Sequence, residues 1–284
     1  MAHKIDNDST RMIFFESVTW TDEFNVSFTE TGFTHVPGGE EYAKQSVFSF
    51  HYYSLPNVGE LDNYFYERVH DAYSWKCAAF LTEFDISNEQ MSPETFDKQS
   101  RVMDECDNYK ISWIGWEYKP LAGSLPNGTC TGCGYGIFLP NGTVNEMVAK
   151  VVSRTFAQFV SGNVQLIQFD KGTAVFKLNF FLNTTITQPT VVYANLKYWY
   201  PQGYDLTYSP TQAIASVTTS TDGQYTQLFN TRDTSFDGTL TFPAFLFLVL
   251  TCFMKWNWKC FFFLPFFFFN SVICIYIIHT SNFA

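Results

Sequence analysis

Positive charge is scarce in this sequence, and charged residues of either sign make up only 15% of it. Lysine and arginine total 17 against 27 aspartate and glutamate residues in a chain of 284, which leaves a formal net charge of −10. No basic stripe is present that would neutralise phosphates, so nucleic acid is excluded as a partner. The first ten residues are polar and no apolar signal core follows them, so no signal peptide opens the chain.

The cysteines do not form a metal-binding pattern. Cys130 and Cys133 are a lone CxxC pair without a second pair or a nearby histidine, which favours a loop disulfide or free thiols over a zinc site. We therefore expect no metal and no cofactor. A bridge between Cys77 and Cys106 is a candidate, because both are predicted at the amino ends of neighbouring strands.

Five glycosylation sequons begin at Asn7, Asn25, Asn127, Asn141 and Asn183. Several sequons in loop-like contexts favour a protein of the secretory pathway, either secreted or lysosomal. Because no signal peptide is present, we expect the natural amino terminus to lie upstream of Met1.

Aromatic residues are abundant, at 19% of the chain. Part of the phenylalanine excess lies near the carboxyl end, whereas tryptophan and tyrosine are spread through the body. Aromatic faces stack well on sugar rings, although ordinary core packing is the alternative for any single one.

The first half of the chain alternates apolar runs with amphipathic segments. This alternation predicts a parallel sheet covered by helices, and therefore an α/β fold. The predicted strands are 12–15, 46–53, 76–84 and 111–118, and the predicted helices are 58–75, 92–109 and 143–154.

After residue 154 the pattern changes to β-rich segments without intervening helices. The segments 164–169, 174–181 and 189–193 predict a small antiparallel β-sandwich. We assign residues 1–155 to the first domain, 156–240 to the sandwich and 241–284 to an apolar tail. The tail has three interpretations: a membrane segment, a removed lipid-anchor signal, or read-through of non-coding sequence.

Polar and aromatic side chains fall at the predicted carboxyl ends of three strands. His51 and Tyr53 end one strand, Glu83 ends the next, and Trp116 lies near the end of the last. Because the carboxyl ends of parallel strands meet at one edge, these groups are expected to lie together. A carboxylate held by Tyr or His beside a Trp platform suits a glycosidase nucleophile, whereas an ion-paired strand end is the structural alternative.

These residues stand in motifs that resemble a known family. Leu81-Thr82-Glu83-Phe84, the His51-Tyr52-Tyr53 segment and the segment 113–119 are similar to the last strands of glycoside hydrolase family 5, closest to its endoglycoceramidase-like branch. Phe14-Phe15-Glu16 and the segment 198–204 are also similar, and the resemblance spans roughly residues 11–238. It implies the C-terminal half of a TIM (β/α)8 barrel, about strands 5 to 8, followed by an antiparallel β-sandwich and the apolar tail.

The resemblance also implies roles for the site residues. Glu83 would be the nucleophile of a retaining mechanism, His51 and Tyr53 would orient it and contact the sugar, and Trp116 would form the floor of the subsite. Glu16 and Glu117 are candidates for lining the cleft, with a structural ion pair as the alternative for each.

The acid/base glutamate of the family is missing from the sequence. In the family it follows an Asn and usually precedes a Pro, and no Asn-Glu-Pro occurs here. Asn88-Glu89 follows the nucleophile strand, and Asn145-Glu146 lies at the last helix. We therefore expect the acid/base outside this chain, and the chain alone to be inactive.

The predicted function is a retaining glycoside hydrolase that acts on O-glycosyl bonds, in the manner of an endoglycoceramidase. Its substrate would be a glycosphingolipid or another β-glycoside, cleaved between sugar and ceramide, with a membrane surface as a candidate partner. Two alternatives stay open: a β-glucosidase acting on glucosylceramide or steryl glucosides, and a non-catalytic glycan- or lipid-binding remnant.

Overall fold

A computed structural model describes residues 11–16, 34–53, 61–86, 93–119, 136–139, 141–234 and 245–252. The chain divides into two compact units between Val152 and Ser153.

The first unit is built on a four-stranded sheet whose neighbouring strands are all parallel. Its strands, in spatial order, are β1 (Ile13–Glu16), β2 (Ser46–Tyr52), β3 (Ala78–Phe84) and β4 (Ser112–Trp113). Its helices are α1 (Leu61–Ser74), α2 (Pro93–Tyr109) and α3 (Glu146–Val152). Because α1 connects β2 to β3 and α2 connects β3 to β4, the strands run in the same direction, as the sequence predicted.

Aromatic side chains join one face of this sheet to the helices. Phe48 of β2 meets Trp75 edge to face at 5.1 Å, and Phe50 meets Phe65 of α1 at 5.7 Å. All four side chains are buried. Residues 49 and 51 alternate with them along β2 and point to the opposite face, which leaves polar groups for the site described below.

Two elements of the first unit differ from the sequence prediction. A 3₁₀ helix, Glu40–Gln45, precedes β2 in a segment for which no helix was predicted. The last helix begins at Glu146 rather than at residue 143, because the Asn145 side chain accepts a hydrogen bond from the Val148 N–H at 3.4 Å and caps the first turn.

The proposed bridge between Cys77 and Cys106 is wrong. Neither residue takes part in a disulfide bond: Cys106 is buried on α2, and Cys77 is half-buried just before β3. Burial raises the pKa of the Cys77 thiol, so it is a weak nucleophile at neutral pH.

The second unit contains two antiparallel sheets of four strands among the described residues. The strands are β5 (Phe156–Phe159), β6 (Gly162–Asp170), β7 (Val175–Leu182), β8 (Thr190–Tyr193), β9 (Tyr204–Ser209), β10 (Ile214–Thr219), β11 (Tyr225–Asn230) and β12 (Phe245–Cys252). One sheet has the order β10-β11-β8-β5 and the other has the order β6-β7-β12-β9.

The strand β12 lies in the segment that the sequence assigns to the apolar tail. It pairs antiparallel with β7 on one side and with β9 on the other, so it is a central strand of its sheet. A short apolar run is compatible with a strand as well as with part of a membrane segment, and the pairing on both sides identifies this run as a strand. The assignment of 245–252 to a tail is therefore corrected. Residues 253–284 lie outside the described residues.

Within the described ranges, no helix combines the length and hydropathy that crossing a membrane requires.

A buried hydroxyl in the second unit gives a stability prediction. The Tyr200 hydroxyl donates to the Ala174 carbonyl at 2.9 Å and is hydrogen-bonded to the Thr155 hydroxyl at 2.8 Å, and the Tyr200 side chain is fully buried. Tyr200→Phe removes the donor and leaves a buried carbonyl unsatisfied, so the free energy of unfolding should fall by about 1–3 kcal/mol. Chemical denaturation of the protein measures this change.

Tyr208→Phe is the matched control for that measurement. Tyr208 lies half-buried on β9 in the same unit. Its replacement should change the free energy of unfolding by less than about 0.5 kcal/mol. An equally small effect at Tyr200 would show that its hydrogen bonds contribute nothing to stability.

Candidate active site

Three parallel strands end in polar side chains at the same edge of the first sheet. Glu16 is the last residue of β1, His51 and Tyr53 lie at the end of β2, and Glu83 is next to last in β3. Parallel strands put their carboxyl ends on one side, so these groups converge as the sequence predicted. Glu83 is 30% exposed, which leaves it accessible to a substrate.

An irregularity between β2 and β3 sets the position of Glu83. Phe50 pairs with Leu81, but the next residue, His51, pairs with Glu83, so Thr82 is an extra residue in β3. A bulge of this kind redirects the side chains beside it. The Thr82 hydroxyl is hydrogen-bonded to the Ser49 hydroxyl, which fixes the extra residue on the site face.

Two side chains of β2 contact the Glu83 carboxylate. The Tyr53 hydroxyl donates to Oε2 at 2.7 Å, and Nδ1 of His51 lies 3.5 Å from the same oxygen. Hydrogen bonds that involve a carboxylate are shorter and stronger than those between neutral groups. The contacts therefore hold the Glu83 carboxylate in a fixed orientation at the strand ends.

Glu16 contacts the opposite edge of the same imidazole. Nε2 of His51 lies 3.5 Å from Oε2 of Glu16, so the ring stands between two carboxylates. The Tyr64 hydroxyl of α1 donates to the His51 carbonyl and anchors the main chain there. One carboxylate therefore contacts each ring nitrogen, and the hydrogen bond from Tyr64 holds the main chain that carries the ring.

Glu16→Gln should change thermal stability in a pH-dependent way. Burial raises the pKa of the Glu16 carboxyl above its ordinary 4.5; His51 opposes the rise, and the charge of Glu83 adds to it. The folded state therefore binds this proton more tightly than the unfolded chain. The resulting stabilisation is complete below the ordinary pKa and is lost as the pH rises through the raised value.

The melting temperature of the wild type should consequently fall relative to that of Glu16→Gln as the pH rises from about 4.5, the ordinary pKa of this carboxyl, towards neutral. Melting curves recorded across this range test the prediction. A difference that stays constant with pH would show that Glu16 has the same proton affinity in both states.

Main-chain hydrogen bonds place Trp116 beside the end of β3. The Trp116 N–H donates to the Phe84 carbonyl at 2.8 Å, and the Trp116 carbonyl accepts from the Ile86 N–H at 2.9 Å. Gly115 is needed here, because a Cβ at that position would lie 2.8 Å from the Ile86 side chain. The Trp116 ring is 48% exposed, so its face is available for stacking.

Glu117 follows Trp116 through a cis peptide bond. Its side chain is half-buried, and burial raises the pKa of its carboxyl. None of the ion pairs among the described residues includes Glu117. The structure therefore brings together Glu16, His51, Tyr53 and Glu83, with Trp116 and Glu117 on the adjacent segment.

Sequence reasoning did not identify the supporting groups of this site. Ser49 and Thr82 fix the bulge, and Tyr64 of α1 holds the His51 backbone. Glu146 lies in the first turn of α3 rather than at a strand end, and Glu89 is outside the described residues. The position of the acid/base group stays a prediction.

Two family models match the chain in adjacent regions. Residues 3–121 match the cellulase model of glycosyl hydrolase family 5, and residues 154–241 match the glycoside hydrolase family 5 C-terminal domain.

Two curated relatives are endoglycoceramidases of cnidarians. The one from Hydra vulgaris is 36% identical over 205 residues, which is 72% of this chain and 36% of the relative. The one from Cyanea nozakii is 31% identical over 208 residues, 73% of this chain and 39% of the relative. The chain thus spans little more than a third of the length of these relatives.

Solved structures show the same fold at low sequence identity. Endo-glycoceramidase II from Rhodococcus sp., solved as a lactosyl-enzyme intermediate, has a TM-score of 0.62 and 15% identity, over 87% of this chain and 50% of that one. Its ganglioside GM3 complex gives the same score and identity, over 87% and 51%. Sterylglucosidase 1 from Cryptococcus neoformans has a TM-score of 0.51 and 12% identity, over 73% and 39%.

These likenesses confirm the predicted architecture of a half TIM barrel followed by an antiparallel sandwich. The family models fall on the two compact units in the expected order, and the curated relatives extend across both. The chain belongs to glycoside hydrolase family 5 and resembles its endoglycoceramidases.

Proposed function

We propose that this protein is a retaining glycosidase that cleaves the bond between sugar and ceramide in glycosphingolipids, with Glu83 as its nucleophile. The observation that carries the proposal is the Glu83 carboxylate, held by the Tyr53 hydroxyl at 2.7 Å at the open edge of a family 5 sheet. In a retaining mechanism such a carboxylate attacks the anomeric carbon and forms a glycosyl-enzyme, which water then hydrolyses.

The other site residues have supporting roles in this proposal. Tyr53 and His51 hold the attacking oxygen in position, and the exposed ring of Trp116 supports the sugar at the cleaved bond. Glu16 fixes the far side of the imidazole. Glu117 lines the cleft next to Trp116.

The mechanism also requires an acid/base carboxylate about 5 Å from the nucleophile. Glu16 does not fit this role, because the His51 ring stands between it and Glu83. We propose that the acid/base comes from residues outside this chain.

The names of the similar proteins support the substrate class. Both curated relatives are endoglycoceramidases, and the Rhodococcus enzyme was solved with a ganglioside and as a covalent lactosyl intermediate. Because glycolipids lie in membranes, we propose that the protein acts at a membrane surface. We also propose that it is located in the secretory pathway.

Product analysis tests this function. The full-length natural protein is incubated with ganglioside GM3, lactosylceramide, glucosylceramide and a steryl glucoside, each dispersed in detergent. We expect ceramide together with the intact oligosaccharide, and the sugar should first appear as its β-anomer in an NMR time course, because two displacements retain configuration. An α-anomer as first product would contradict the retaining mechanism.

A second function is favoured by the likeness in fold to the sterylglucosidase. In that case glucose is released from glucosylceramide or the steryl glucoside, and the longer glycolipids are left intact. If no substrate is cleaved but glycolipid vesicles bind the protein, the non-catalytic binding function replaces both.

A further inference from the structure

Two glycosylation sequons lie among the described residues, and they adopt the same local structure. Asn141-Gly142-Thr143 lies shortly before α3, and Asn183-Thr184-Thr185 follows β7. In the first, the Thr143 N–H and hydroxyl donate to the Asn141 Oδ1 at 3.0 and 2.7 Å. In the second, the Thr185 N–H and hydroxyl donate to the Asn183 Oδ1 at 3.0 and 2.7 Å.

This geometry gives the asparagine side chain a fixed orientation. The two donors on Oδ1 hold the amide oxygen against the turn and leave its Nδ2 pointing away from it. Neither the Asn141 nor the Asn183 amide nitrogen donates a hydrogen bond to any other described residue. Only three consecutive residues are involved, so the turn does not depend on the rest of the fold.

Both asparagines are also accessible in the folded protein. Asn141, Gly142 and Thr143 are all exposed, and a Cβ added at Gly142 would meet nothing within 4 Å. The turn is anchored at its base, where the Leu139 N–H donates to the Thr143 carbonyl at 2.8 Å. A bulky group on Asn141 therefore has space on the solvent side.

The second turn is anchored by its middle residue. Asn183 and Thr185 are exposed, whereas Thr184 is buried, and its carbonyl accepts a hydrogen bond from Arg232 at 3.1 Å. Because the buried residue holds the backbone, the exposed Asn183 side chain is directed away from the sheet. Asn183 is thus a second exposed attachment point.

We propose that Asn141 and Asn183 are N-glycosylation sites, one in each compact unit. The donor is a lipid diphosphate-linked oligosaccharide. The Asn Nδ2 attacks the anomeric carbon, an Nδ2–C1 bond forms and the C1–O bond to the diphosphate breaks. The diphosphate leaves with the electron pair, and a carboxylate of the transferase takes the Nδ2 proton.

One consequence concerns the topology of the chain. Oligosaccharide transfer takes place in the lumen of the endoplasmic reticulum, so a glycan in each unit requires that both units enter the lumen. Neither asparagine is in the set of residues around Glu83, and the modification is independent of the proposed glycosidase activity.

Glycopeptide mapping tests the proposal. The full-length protein is produced in animal cells behind a secretory leader, purified from the medium and treated with peptide-N-glycosidase in ¹⁸O water. We expect peptides in which Asn141 and Asn183 are converted to ¹⁸O-labelled aspartate. Unlabelled asparagine at either position in the secreted protein would overturn the proposal for that site.

Variants at the threonine test whether glycosylation requires the hydroxyl of the motif as well as the asparagine. Thr143→Ala and Thr185→Ala should each remove one glycan, whereas Thr143→Ser and Thr185→Ser should keep it, because serine retains the hydroxyl donor. Glycosylation that persists in the alanine variants would contradict the role of the hydroxyl. Should an alanine variant fail to leave the cell, the mapping of the wild type still decides.

Discussion

Glu83→Gln is expected to lower kcat for glycolipid cleavage by about 10⁴-fold or more, the scale seen when an enzyme loses a nucleophile. Glutamine has nearly the same shape and can keep a hydrogen bond with the Tyr53 hydroxyl, but its amide cannot attack the anomeric carbon. KM should change little, because the substrate contacts remain. The measurement is ceramide release by the full-length protein at saturating substrate.

Glu94→Gln is the matched control. Glu94 is an exposed residue of α2 that pairs with Lys98 at 2.6 Å, and it lies on a helix rather than at a strand end. Its replacement should leave kcat unchanged. Chemical rescue adds a second test: azide should restore reaction to Glu83→Ala and yield a glycosyl azide of inverted configuration. Turnover by Glu83→Gln at the wild-type rate would reduce Glu83 to a structural carboxylate.

Tyr53→Phe is expected to lower kcat by about 10²-fold, the effect of removing one well-placed hydrogen-bond donor from an active site. The variant keeps the ring and loses only the hydroxyl that holds the Glu83 oxygen at 2.7 Å. The rate of glycosyl transfer to the enzyme should fall more than the affinity of the enzyme for its substrate. The loss should therefore appear in kcat and in the pre-steady-state burst, with KM nearly constant.

Tyr73→Phe is the control for that variant. Tyr73 lies on α1 and is 81% exposed, so its hydroxyl has no part in the site. The Tyr73 variant should behave as wild type. If Tyr53→Phe also does so, His51 alone orients Glu83. If the thermal stability of Tyr53→Phe falls in parallel with its rate, the hydroxyl has a structural role instead.

Local patterns predicted the first unit well. The predicted strand 76–84, which contains Glu83, became β3, and the predicted helix 92–109 became α2, which begins at Pro93. Each depends on residues close in sequence, such as a proline at the first helical turn. The convergence of His51, Tyr53 and Glu83 followed from the parallel topology alone.

The contacts between strands could not be predicted in the same way. The extra residue Thr82 and the placement of His51 between Glu16 and Glu83 depend on pairing across 30 residues or more. No pattern within one segment specifies such a register, since a shift of one residue changes which side chains face each other. The hydrogen bond from Tyr64 to the His51 carbonyl could not be predicted for the same reason, because it joins two different elements.

The second unit shows where hydropathy is ambiguous. The short strand β5 and the strand β10 both carry several exposed residues, so neither stood out as an apolar run. The segment Phe245–Cys252 had the opposite problem, because its unbroken apolar run suits both a central strand and a membrane segment. Only the pairing with β7 and β9 distinguishes these two structures.

Trapping of the glycosyl-enzyme tests the central claim most directly. A 2-deoxy-2-fluoro lactoside with a dinitrophenolate leaving group is incubated with the protein, since this leaving group needs no acid catalyst. Trypsin then releases the peptide from Cys77 to Lys98, and fragmentation distinguishes Glu83 from the other four carboxylates of this peptide, Asp85, Glu89, Glu94 and Asp97. The account predicts a single adduct, on Glu83. An adduct on another carboxylate, or none despite turnover of glycolipid, would contradict it.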